Sequence, residues 1–330
     1  MKILKYICLV ALLASFWHSA SAQSQPLLGQ YFQNLPAYAP ALTGANDFLD
    51  LRLSTRQQWS GFEGAPRTYY VSGYAMLRTY NNRKRPLFRT SLSERLNKKM
   101  QIKHGVGGYI QSNKFGPLSQ FEAKLNYAVH VPVFAKSYLS MGVSGGISSN
   151  QIDLSEVTVK NDINDPTYVS YMQNGNSNTY LEASLGLALY SDKYYFSYTM
   201  APVVNTQISG NDNVEVGDKE SRHQAMLGLR MYLNKDFELV PNVFARYDQT
   251  APVLYDAGAR LRYLQKYWAG LSYRNDETLI GMVGITVNDL WRLSYSYEYD
   301  MGDFSNYHSG THEIVIGLQL YNYNGHVPMW

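Results

Sequence analysis

The 330-residue sequence has one cysteine, Cys8, and it lies inside the first apolar stretch. With that stretch set aside no thiol remains, which excludes a disulfide framework and thiolate chemistry. Charge is scarce as well. Asp, Glu, Lys and Arg make up 17% of the chain, where a soluble domain usually carries about 25%. After the first segment no apolar run approaches the ~20 residues that a membrane-spanning helix needs. No grouping of His, Cys and carboxylate has a zinc spacing, and no nucleophile elbow or other local Ser/His/Asp motif occurs. The sequence therefore offers no catalytic residue, cofactor site or metal site.

What it has in abundance is Tyr (29) and Gly (25), with 45% hydrophobic residues at a mean hydropathy of −0.31. Low charge, many Tyr and Gly, and apolar residues without long runs fit an all-β chain in which apolar and polar positions alternate, a transmembrane antiparallel β-barrel. From Asp50 onward, period-2 segments alternate with turn residues, and about fourteen strands can be counted between Asp50–Trp59 and Thr311–Tyr321. Ile314, Ile316, Leu318 and Leu320 alternate with Glu313, Val315, Gly317 and Gln319. Leu181–Leu189 and Leu227–Leu233 repeat the pattern, the latter with Gly228, Arg230 and Tyr232 inward. A strand in lipid has no water for its backbone groups, so the sheet must close. Connections alternate too. Ser191-Asp192, Asn234-Lys235-Asp236, Gln265-Lys266 and Asn288-Asp289 are tight, whereas Ile152–Asn178, Val203–Glu220 and Asp300–Gly310 are long. This predicts short periplasmic turns and longer extracellular loops. Tyr194, Tyr195, Tyr198, Tyr295, Tyr297, Tyr299, Tyr321 and Trp330 are expected in the interfacial girdles.

Residues 1–22 read as a signal peptide. Lys2 and Lys5 precede an apolar core, and Ala20-Ser21-Ala22 is a small-x-small cleavage site. Residues 23–48, with Pro26, Pro36 and Pro40, have no strand or helix period and form a periplasmic N-terminal segment or short plug. The barrel then spans 49–322, leaving a C-terminal tail at 323–330. Outer-membrane localisation follows, with outer-membrane lipid as its surroundings. One connection on the short-turn side breaks the rule: Thr79–Met100 is long. Between Arg78 and Lys103 there are nine basic residues against one acid, Glu94. Arg83, Lys84, Arg85, Lys98 and Lys99 are periplasmic docking candidates there, for an acidic protein, anionic lipid heads or cell-wall polymer. An extracytoplasmic face argues against nucleic acid.

Arg56-Gln57-Gln58-Trp59-Ser60-Gly61-Phe62-Glu63-Gly64-Ala65-Pro66-Arg67-Thr68 reads as a strand end, a glycine-and-aromatic loop and the next strand start. Gly61 and Gly64 permit positive φ, and Pro66 fixes φ and lacks an N–H. The block resembles the signature of the PorP/SprF family, outer-membrane proteins associated with the type IX secretion system. Tyr31-Phe32-Gln33-Asn34, Ala39-Pro40-Ala41-Leu42-Thr43-Gly44 and the closing Gly310-Thr311-His312-Glu313-Ile314 are similar to other family segments, with Ala39 where the family usually has Asn.

The resemblance implies a non-enzymatic role in type IX secretion or gliding-adhesin export and anchoring. Its implied partners are secretion-ring and periplasmic components, a peptidoglycan-binding periplasmic protein among them, and the C-terminal domains of secreted proteins or adhesins. On this chain the cargo-facing or loop-ordering site would be Arg56, Trp59, Gly61, Phe62, Gly64, Ala65 and Pro66, with His312 and Glu313 in the closing strand. The alternative is an outer-membrane channel for hydrophobic or other small solutes.

Adjacent strand residues point to opposite faces, so His312 and Glu313 cannot converge as an acid–base pair. The Asp/Asn-rich loops at 161–165 and 211–215 lack the spacing of a calcium loop. Alternation places Arg52, Arg56, Glu122, Lys124, Glu182, Arg230, Arg246, Asp256, Arg260, Arg262, Glu298 and Glu313 in the lumen. That mixture predicts a salt-bridged interior rather than an ion path of one sign.

Overall fold

The structure is a computed structural model that describes residues 27–77, 102–134, 137–157, 169, 172, 175–210, 221–249, 251–288 and 290–322. The expected signal peptide, the expected basic turn with Arg83, Lys84, Arg85, Lys98 and Lys99, both Asp/Asn-rich stretches and the expected tail, with Trp330, lie outside these residues.

Alternating, β-branched and aromatic segments form a closed 14-strand antiparallel barrel. The first half comprises β1 (Leu49–Gln57), β2 (Arg67–Leu77), β3 (Lys103–Phe115), β4 (Leu118–Phe134), β5 (Ser137–Ile152), β6 (Ser177–Ser191) and β7 (Tyr194–Ser209). β8 (Arg222–Leu229) resumes after Arg230 as Met231–Tyr232. Then follow β9 (Phe237–Tyr247), β10 (Leu254–Tyr263), β11 (Tyr267–Arg274), β12 (Thr278–Val287), β13 (Trp291–Asp300) and β14 (Thr311–Leu320). Each strand pairs with its sequence neighbours, and β1 pairs with β14 from Leu49↔Leu320 to Gln57↔His312. No edge is left to expose unpaired backbone to hydrocarbon. Among the described residues no helix is long and apolar enough to cross a membrane.

Period 2 holds around the wall. In β14, Thr311, Glu313, Val315, Gly317 and Gln319 are buried inward while Ile314 is exposed outward. All twelve charged residues expected in the lumen have side chains turned away from the outer surface, and those that ion-pair do so with other luminal groups, as in Lys124–Glu182 at 2.7 Å and Arg246–Asp248 at 3.0 Å.

Three expectations are corrected. Tyr195 is not a girdle residue: it is 2% exposed and packs in the lumen, because its neighbour Tyr194 already takes the opposite face. Tyr232, expected inward, is exposed, since it lies in the two-residue strand piece next to a turn where the wall ends. The stretch from Val203 to Ser209 is not loop but the end of β7. It pairs with β6 after register shifts that let its β-branched residues extend the hairpin.

The tight turns near residues 192, 234, 265 and 288 share one end of the barrel, and the connections at 58–66 and 301–310 share the other with the strand ends at Ile152 and Ser177. Inside the wall lies Leu27–Phe48, folded as short helical turns at Tyr31–Asn34, Leu35–Tyr38 and Pro40–Leu42. Pro36 and Pro40 sit in the first turns of their helices, where a missing N–H costs no hydrogen bond. Tyr31, Phe32, Leu35 and Leu42 cluster with Tyr195, Met226, Phe244 and Ile280 from the inner wall. The hydrophobic core of this barrel is thus the contact between the N-terminal segment and the lumen.

Candidate functional site

The Trp59–Pro66 loop joins β1 to β2 at the rim of one mouth of the barrel. β1 ends at Gln57, and Gln58 N–H donates to Pro66 O at 2.9 Å, drawing the chain into a tight loop. Phe62 N–H donates to Trp59 O at 3.0 Å. Gly61 and Gly64 have φ of +94° and +70°, the left-handed region glycine enters without steric cost. Trp59 itself has φ +44°, an uncommon state for a bulky residue that its surroundings must hold in place. They do so with Phe62, Phe304, Phe115 and His308, whose ring centroids lie 6.4, 5.1, 5.9 and 6.3 Å from that of Trp59. Phe304 and His308 come from the 301–310 connection and Phe115 from the end of β3. Backbone bonds tie the loops together: Ser60 N–H to Gly310 O and Ser309 N–H to Ser60 O at 2.8 Å, Gly116 N–H to Gly64 O at 2.9 Å. Phe62 remains exposed on top.

Beneath the loop the charged residues converge. Arg56 donates to both carboxylate oxygens of Glu298, at 3.0 and 2.8 Å. This fork-on-carboxylate geometry is among the stronger polar contacts available to side chains. Arg274 adds ion pairs of 3.5 Å to Glu298 and to Asp256, and Glu313 lies 3.9 Å from Arg56. Glu313 is fully buried, and its Oε2 accepts the backbone N–H groups of Gly29 (2.9 Å) and Gln30 (3.3 Å). An uncompensated carboxylate there would be costly, so the N-terminal segment and Arg56 stabilise Glu313 and are positioned by it. A Cβ on Gly29 would sit 2.6 Å from Glu298 Oε1, so a side chain there would have to displace that carboxylate.

The rest of the segment is bonded down the wall. Gln33 accepts from Arg52 and donates to Ser294 Oγ at 2.6 Å. Asn242 donates to Tyr31 Oη at 2.6 Å, and Asn126 to Pro36 O at 2.7 Å. His130 meets Thr43 O at 2.9 Å, and Ser140 donates to Ala41 O at 2.6 Å. Side chains on Gly105 and Gly142 would overlap the backbone of Thr43 and Ala41. His312 takes the other face from Glu313, its Nδ1 2.6 Å from the Tyr295 hydroxyl on the outer wall. Ala39 is fully buried within the segment.

Of the four stretches singled out in the sequence, the Arg56–Thr68 block and Gly310–Ile314 meet at one place. They are joined there by the residues just before Tyr31–Asn34, although Gly29 and Glu313 are 284 residues apart, whereas Ala39–Gly44 lies against His130 and Ser140. Arg56 and Glu313 hold the interior, and Trp59, Phe62, Gly64 and Gly310 form the lid above them. Ala65 and Pro66 close the loop on the β2 side. Sequence reasoning missed Gly29, Gln30, Phe115, Phe304 and His308. Their only signal was proximity to a motif or aromatic character in a loop.

A closed transmembrane barrel whose lumen holds its own N-terminal segment is the class of protein that this arrangement defines. The family described as Type IX secretion system membrane protein PorP/SprF matches residues 20–318, and the chain belongs to that family. No curated protein matches it. Among solved structures it is similar to the toluene transporter TodX of Pseudomonas putida, at 10% identity over 90% of this chain and 94% of that one, with a TM-score of 0.45. The translocator domain of the autotransporter NalP from Neisseria meningitidis gives 10% identity, 83% and 88% coverage and a TM-score of 0.37. Outer membrane phospholipase A from Escherichia coli gives 14%, 84%, 91% and 0.35. Similarity at this level carries no functional argument.

Proposed function

We propose that the chain is a non-enzymatic outer-membrane component of the type IX secretion system that assists export or surface anchoring of cargo or adhesin proteins through their C-terminal domains. Family membership supports the secretion role. The observation that carries the cargo reading is the lid. An exposed Phe62 rests on rings held by three connections, and that assembly is fixed through Arg56, Glu298 and Glu313 to the internal segment. Exposed aromatic residues on a rigid base are what a protein-binding patch requires.

In this reading the long-loop end faces the medium and the short-turn end the periplasm. Leu27–Phe48 is a resident plug. Arg83, Lys84, Arg85, Lys98 and Lys99 dock the secretion-ring and periplasmic components. Trp59→Ala combined with Phe62→Ala lowers export about tenfold or more, an effect of two hot-spot side chains at about 1–2 kcal/mol each, with the barrel still inserted. Export assayed by surface display, beside an insertion control, tests this, and undiminished export removes the site.

The alternative, a channel for hydrophobic or other small solutes, requires the plug to leave a core in which Leu35 and Phe244 are fully buried. Single-channel conductance of the unaltered barrel at rest would favour it.

A further inference from the structure

The charge of the lumen is uneven along its axis. Toward the long loops Arg56 and Arg274 face Glu298, Glu313 and Asp256. Toward the tight turns the balance inverts. Arg52 is satisfied there by Asp50, with bonds of 2.8 and 3.0 Å. Arg230 and Arg262 both approach Glu238 at 3.8 Å, and Gln265 already donates to that carboxylate at 3.0 Å. Arg260 and Arg292 are left with no carboxylate in ion-pair distance among the described residues. Arg260 is 2% exposed, its guanidinium lies 3.6 Å over the Phe32 ring, and its Nε and one terminal nitrogen have no hydrogen-bond partner. Arg292 Nε is likewise buried and unsatisfied.

The unmet buried donors of Arg260 and the Nε of Arg292 cost several kcal/mol together unless something compensates them. Arg260 and Arg292 line one narrow cleft between the plug and β10–β13, together with Arg262, Trp268 and Gln265, and Gln265 is exposed at the tight-turn rim. We propose that this cleft binds a carboxylate group carried on an acidic peptide segment that enters from the tight-turn end. The chemistry of the lumen supports the choice. Where arginine is satisfied elsewhere in this barrel, as in Arg52–Asp50 and Arg56–Glu298, a carboxylate takes the planar fork. Neither the secretion reading nor the lid enters the argument, so the site stands or falls alone.

The test uses the full-length barrel in detergent, with anisotropy of a fluorescein-labelled tetraglutamate peptide as the readout and citrate and inorganic phosphate as competitors. Saturable binding is expected, displaced by citrate and weakened at least tenfold by Arg260→Gln combined with Arg292→Gln. Lys114→Gln, an exposed residue near the opposite mouth, should bind as the parent does. Arg260→Met separates binding from folding: it removes an unmet buried charge, so it should lose the peptide while the barrel keeps or gains resistance to heat. Absent binding, equal binding by the double variant, or displacement by phosphate but not by citrate overturns the proposal.

Discussion

Glu313 joins three parts of the chain through one oxygen, Oε2. Its partners are the Gly29 and Gln30 backbone and the Arg56 guanidinium, all buried. Removing the Glu313 carboxylate leaves the buried Gly29 and Gln30 N–H groups without an acceptor, whereas Arg56 keeps Glu298. Glu313→Ala should therefore destabilise the barrel by about 2–4 kcal/mol, the cost of two orphaned donors, and Glu313→Gln by less, because one carbonyl oxygen still accepts from the segment. The temperature at which the folded band is lost on unheated gels would rank the two, and equal behaviour of Ala and Gln would show that the acceptor is not what matters. Residue-level reading of the sequence succeeds where parity governs. Glu313 inward and His312 outward follow from period 2 alone. It fails where residue type replaces parity: Tyr194 and Tyr195 are neighbours and cannot both belong to a girdle, and the structure turns Tyr195 inward.

At the scale of elements, the internal segment and the loop above it depend on different physics. The wall was legible because alternation repeats along every strand, and turn residues separate the strands. The path of Leu27–Phe48 was not. Its helical turns are too short to show a period, and its bonds run to side chains such as Asn126, Ser140 and Asn242, whose identities carry no sign of a partner. The glycines are the visible trace. Gly105 and Gly142 are where the segment's backbone touches the wall, and Gly44, at φ +70°, lets the chain turn against Gly105. Gly105→Ala and Gly142→Ala should lift the segment from the wall without altering strand pairing. The expected result is ion conductance in planar bilayers that the parent barrel lacks. A silent double variant would mean that the segment tolerates displacement and still fills the lumen. The Val203–Ser209 extension shows the other limit of sequence reading: a strand that outlives its flat register through bulges looks like loop.

For the whole molecule, the barrel supplies a rigid wall, the N-terminal segment gives it a core, and the ion pairs beneath the lid couple both to the aromatic surface at one mouth. Under the proposed function, partner recognition lies on that surface, not on the outer wall, whose exposed leucines and valines are suited to lipid. A photo-crosslinking amino acid at Phe62, in cells that secrete normally, tests this directly, with Leu125 on the outer wall of β4 as the control. The expected result is that Phe62 captures the C-terminal domains of secreted proteins and that Leu125 does not. Capture of the same proteins from both positions, or of none from Phe62 while export proceeds, would contradict it.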